Sequence, residues 1–153
     1  MRKGFSLADV LTVLIIVGIL INLSVIWYFY HTEKQNIFND LQRVYFFINS
    51  IVEEAKRKHC SFKISVGIRS VNATALSGSC TDKTLQLEHA SLETTTLKVN
   101  TLGVFTYARN IELDTTTRSK YDLAVDCLAV SRFRVCEGKV KNVSGTLRCV
   151  CRY

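Results

Sequence analysis

The chain has 153 residues, a formal net charge of +7 and a hydrophobic share of 48%. That length suits one hydrophobic core and falls short of what two independent domains normally need. Mean hydropathy is positive, but the excess sits in the uncharged run from Val10 to Tyr30, and the remainder has the composition of an ordinary soluble domain.

Arg2 and Lys3 precede the apolar run, where a membrane or secretory segment carries its basic flank. Removing them from the formal +7 leaves +5. At about 1.5 Å per residue a helix from Val10 to Tyr30 is long enough to cross a hydrocarbon layer of about 30 Å. A cleaved secretory signal is the alternative, but the run is longer than such a signal's apolar core. It is followed by Trp27, Tyr28, Phe29 and Tyr30, which suit a membrane interface, and not by a small-residue cleavage site. Asp9 stands at the start of the run, where an acid is costly unless it has a partner or faces water.

The segment Arg2-Lys3-Gly4-Phe5-Ser6-Leu7-Ala8-Asp9, with the apolar run behind it, resembles a type IV prepilin leader. The resemblance implies that a prepilin peptidase cuts after Gly4 and N-methylates Phe5. Asp9 is then fifth in the mature chain, where the family usually has glutamate. Its implied role is subunit assembly, by pairing with the N-terminal amine of a neighbouring subunit at low dielectric. Aspartate keeps the charge and shortens the reach. The chain contains no proline, so no proline kink interrupts this helix, and Gly18 and Asn22 are its only weak points.

Beyond the polar stretch His31 to Asn36, apolar residues recur at Ile37, Leu41, Val44, Ile48, Ile51 and Ala55 in four- and three-residue steps, which predicts an amphipathic helix. Nothing separates it from the apolar run, so one long helix is expected to end near Lys58 or His59. Phe62, Ile64, Val66 and Ile68 then alternate with polar residues or glycine, which predicts a half-buried strand. Further strands are expected around Leu85 to Leu87, Thr96 to Val99, Val104 to Tyr107, Ile111 to Leu113 and Leu123 to Cys136. Residues Ser70 to Lys83 read as a loop, and the threonine clusters Thr94 to Thr96 and Thr115 to Thr117 as strand edges or turns.

Six cysteines, Cys60, Cys80, Cys127, Cys136, Cys149 and Cys151, lie on the side that the basic flank places outside the cytoplasm. An even count in an exported domain favours disulfides, and six cysteines allow fifteen pairings. Cys60 and Cys80 flank the first strand and form one candidate pair. A metal site is the rival, but no CxxC pair occurs, and Cys149 and Cys151 form only a CxC.

Glu137-Gly138 and Ser144-Gly145 read as two-residue turns that fold the C-terminal segment into three antiparallel strands. That register sets Arg134 against Lys141 and Lys141 against Arg148, with Phe133, Val135, Val140 and Leu147 on the opposite, core-directed face. Arg132 and Arg152 share the basic side. From Ser131 to Tyr153 there are six Lys or Arg residues against the single acid Glu137. Like charges opposed across strands are mildly destabilising, and an anionic partner such as a nucleic-acid backbone would relieve them.

The leader, a helix containing Asp40-Leu41-Gln42 and Glu54-Ala55-Lys56-Arg57, and Cys-terminated β structure together resemble the GspH/FimT group of pseudopilins and minor pilins. Some members of that group bind DNA through a C-terminal Gly-Arg-x-Arg segment. Gly138-Lys139-Val140-Lys141 is similar, with lysines for both arginines, so it meets phosphate without the bidentate fork. Arg132, Arg134 and Arg148 would add to Lys139 and Lys141.

No nucleophile and base stand in a recognisable motif. His31 is beside the apolar run, His89 lies in a polar segment, and His59-Cys60 is expected to lose its thiol to a disulfide. No phosphate loop, dinucleotide fingerprint or metal spacing occurs.

The sequence therefore predicts an α+β protein: a leader over 1–4, a transmembrane and filament-core helix over 5–30, an amphipathic helix over 31–59 and a β-rich domain over 60–153. The expected role is structural and non-enzymatic, with no cofactor, in a type IV pilus or a type II secretion pseudopilus. The expected location is a single pass through the inner membrane, with the globular domain outside the cytoplasm, before assembly into the filament. The implied partners are other pilin or pseudopilin subunits and a prepilin peptidase. The alternative is a pilus-associated receptor for natural transformation that binds double-stranded DNA.

Overall fold

A single α-helix, α1, runs from Leu7 to Lys58 in the computed structural model, which describes residues 7–143 and 146–151. It ends where the sequence places its end. His59 takes a left-handed backbone with φ of 51°, and the Cys60 N–H donates to the Ala55 carbonyl at 3.1 Å, a closing turn that satisfies a terminal carbonyl. The chain divides into two units, residues up to Gln35 and Asn36–Tyr153.

Over its described residues the first unit is helix, and from Val10 to Tyr30 its large apolar side chains are exposed on every side. The second begins with the C-terminal half of α1, whose stripe of Ile37, Leu41, Val44, Ile48, Ile51 and Ala55 is buried as the period predicts. That stripe packs on two four-stranded antiparallel sheets. One has the order β3-β2-β1-β4, from β1 (Ser61–Val66), β2 (Ser70–Ser77), β3 (Lys83–Gln86) and β4 (Thr95–Val99). The other runs β5-β6-β7-β8, from β5 (Arg109–Glu112), β6 (Cys127–Val130), β7 (Val135–Val143) and β8 (Thr146–Cys151). Phe62, Ile64 and Val66 of the first sheet and Ile111, Leu128, Val130 and Val135 of the second join the helix stripe in one core. The long apolar helix and its antiparallel sheets fit a pilin-like α+β fold.

Four local expectations are corrected. Ser70–Ser77 is a strand and not a loop: Val71 and Ala73 point inward between Asn72 and Thr74, an alternation of small side chains that leaves little periodic signal. Thr115–Lys120 forms a short helix, α2, capped by Asp114, which accepts from the Thr116 N–H. Val104 to Tyr107 contributes only an isolated bridge between Phe105 and Val99. Leu123 to Cys136 is not one strand: β6 ends at Val130, a turn closed by the Ser131 N–H on the Arg134 carbonyl follows, and β7 starts at Val135.

All six cysteines are paired, Cys60 with Cys80, Cys127 with Cys149 and Cys136 with Cys151. The first bridge ties the end of α1 to the segment after β2. The other two lie on one face of the β6-β7-β8 sheet, beside Gly138 at the middle of β7. A side chain at Gly138 would come within 2.5 Å of the Val150 carbonyl oxygen and 2.8 Å of the Cys149 Sγ, so glycine is required there by close approach.

Candidate functional site

The apolar half of α1 is exposed, and by length and composition this helix can cross a membrane. Trp27, Tyr28, Phe29 and Tyr30 follow one another at the C-terminal end of that half, and the Trp27 ring lies 4.0 Å from that of His31. Polar side chains inside the run turn back on their own helix. The Thr12 hydroxyl donates to the Ala8 carbonyl and the Ser24 hydroxyl to the Leu20 carbonyl, both at 2.8 Å, and the Asn22 amide donates to the Gly18 carbonyl, also at 2.8 Å. Asp9 is exposed in the first turn of α1, where a carboxylate meets the positive end of the helix dipole. Gly4 and Phe5 lie outside the described residues.

The C-terminal basic residues are arranged differently from the expectation. Strand β7 runs straight through Glu137-Gly138, so no turn occurs there, and Arg134 is not opposite Lys141. Arg132 and Arg134 instead belong to the turn between β6 and β7. Seven residues of extended chain, about 23 Å, separate Arg134 from Lys141. Lys141 does face Arg148 across β7 and β8; Ser144-Gly145, expected as the turn between them, lies outside the described residues, as does Arg152. Lys139 precedes that pair on the same face but is bound to Asp122, with Nζ 2.7 Å from Oδ1. The core-facing set is corrected too. Val135 is buried, but Phe133 is 78% and Leu147 60% exposed, and alternation puts Val140 and Leu147 on the disulfide face. The basic residues thus form two groups at opposite ends of β7 rather than one row.

Two buried carboxylates on α1 escaped the sequence reading as functional groups. Asp40, 3% exposed, accepts through Oδ2 from the backbone N–H groups of Glu88, His89 and Ala90 at 3.0, 2.8 and 3.0 Å, and through Oδ1 from Arg43 at 3.0 Å. Burial pushes its pKa up, but the three backbone donors and Arg43 together outweigh it and hold the carboxyl below its ordinary value. Glu54 binds Lys58 at 2.7 Å and also binds Lys83 of β3. The hydrogen bonds from Lys58 and then Lys83 bring its pKa from 4.5 to about 2 against the opposing effect of burial. Both acids fasten the helix to segments that follow it. The signal for Asp40 was available: it stands three residues after Ile37 and next to Leu41, on the stripe that must be buried.

Cys60, the thiol of the His59-Cys60 pair, is held in its disulfide with Cys80. No protein-family model matches the chain, and no curated protein or solved structure is significantly similar to it.

Proposed function

We propose that this chain is a minor pilin or pseudopilin of the GspH/FimT kind, a subunit that helps to initiate or assemble a type IV pilus or a type II secretion pseudopilus. The observation that carries the reading is α1 itself. One helix changes along its length from apolar on all sides to a single buried stripe, as a subunit needs when it waits in a membrane and displays a folded domain. The prepilin-like residues Gly4, Phe5 and Asp9 of the sequence and the three disulfides of the domain support the same reading. In it the domain stands outside the cytoplasm, prepilin peptidase removes residues 1–4, and Asp9 meets the N-terminal amine of a neighbouring subunit.

The test is incorporation into filaments sheared from cells that express the chain with an assembly machinery. Asp9→Ala is expected to leave processing intact and lower incorporation at least tenfold, whereas Asp9→Glu retains it. Equal incorporation of Asp9→Ala and the parent chain would remove the assembly role.

A second reading, a pilus-associated receptor for double-stranded DNA, is favoured by the cross-strand pair Lys141 and Arg148, two like charges held opposite each other. Affinity for duplex DNA should fall steeply with salt, and the double change Lys141→Ala, Arg148→Ala should lower the slope of log affinity against log salt by about 2. Equal, salt-insensitive binding by both proteins would rule it out.

A further inference from the structure

We propose that the apolar helix pairs within the bilayer with a second copy of this chain, parallel and in register, through a face centred on Asn22. The inference rests on the reading of Val10 to Tyr30 as a bilayer span.

Besides the aromatic Trp27, Tyr28 and Tyr30 at its end, three hydrogen-bonding side chains lie in that run, and they differ in what they leave unmet. Thr12 and Ser24 each own one O–H, and each donates it to a carbonyl four residues earlier. Asn22 owns two N–H donors and a carbonyl acceptor. One N–H goes to Gly18, while the second and Oδ1 have no partner among the described residues. Asn22 is two residues past the midpoint of the run, about 3 Å from the mid-plane at helical rise, where water and headgroups are out of reach.

An identical helix inserted the same way carries the same amide at the same depth. Two such amides satisfy each other reciprocally about a two-fold axis, N–H to Oδ1 in both directions. The neighbours of Asn22 suit such a pairing. Ile15, Gly18, Asn22, Val25 and Phe29 follow one another in steps of three, four, three and four, the spacing of a two-stranded helical seam. A single asparagine in such a seam fixes register and favours the parallel pair. One turn before Asn22, Gly18 has no atom within 4 Å of where a side chain would stand, so a second backbone can come close.

The full chain is expressed in a bacterial inner membrane with the photo-crosslinking residue p-benzoylphenylalanine in place of Val25, on the face, or of Leu20, on the opposite side. Val25 is expected to give at least about five times the dimer that Leu20 gives. Asn22→Leu should lower the Val25 dimer by about fivefold or more, and Asn22→Gln, which keeps donor and acceptor, should retain it. Equal yields from the two positions, or an unchanged yield in Asn22→Leu, overturns the pairing. Alkaline carbonate extraction separates the two ideas: a chain that stays in the membrane unpaired overturns the pairing alone, and a chain that is extracted overturns the bilayer span and the pairing with it.

Discussion

Asp40 shows how one side chain holds an element in place. Its carboxylate gathers three consecutive backbone N–H groups of residues 88–90, so the helix supplies the acceptor that this segment does not find in a strand. Asp40→Ala leaves those donors without it. It is expected to cost about 2–4 kcal/mol in urea unfolding of a fragment beginning at Asn36. A loss below about 0.5 kcal/mol would show that water replaces the carboxylate without penalty. Acid should act through the same residues. The pKa of Asp40 is lowered and that of Glu54 lowered to about 2, so each contributes stability that is complete above the unfolded-state pKa and lost as pH falls through the folded one. The domain should therefore hold constant stability down to about pH 4.5 and weaken between there and about pH 2, with Glu54→Gln flattening the fall. The partly exposed lysines that hold Glu54 are screened by water, which limits its share to about 1–2 kcal/mol.

At the scale of elements, the C-terminal hairpin turns on Gly138. A methyl group there would strike the backbone of β8 and the Cys149 sulfur. Gly138→Ala is expected to cost about 1–3 kcal/mol and to raise the fraction of mispaired disulfides seen in peptide mapping. Native pairing with unchanged stability would mean that β8 can shift to make room. The same glycine explains why this region was misread from sequence. Glu137-Gly138 carries the signature of a turn, yet the glycine serves close approach inside a strand, a need created by residues ten or more positions later. The true turn, Ser131 to Arg134, has neither glycine nor proline to announce it. Strand β2 was hidden for another reason, since Ala73 and Ala75 bury too little surface to mark a period. The C-terminal half of the helix and its end at Lys58 were legible because Ile37, Leu41, Val44, Ile48 and Ile51 bury apolar side chains at helical spacing. Strand β1 was legible because Phe62, Ile64 and Val66 do the same at a period of two. Of the basic residues, only the opposition of Lys141 and Arg148 could be read, because its register follows from the turn that Ser144-Gly145 predicts in sequence.

For the whole molecule, the division of α1 into an apolar half and a half-buried one was visible in composition, whereas the joining of two sheets in one core depends on contacts far apart in sequence. Cys60 and Cys80 were expected as a pair for flanking one strand, and they do pair, but they flank the β1-β2 hairpin. The choice among the remaining four cysteines required the register of β6, β7 and β8. The proposed filament subunit rests most heavily on the first nine residues, where Gly4, Phe5 and Asp9 have the spacing of a prepilin leader. The most direct measurement is the mass of the N-terminal peptide after co-expression with a prepilin peptidase. A mature chain beginning at N-methylated Phe5 is expected, and a chain left uncleaved or beginning at any other residue would contradict the proposal.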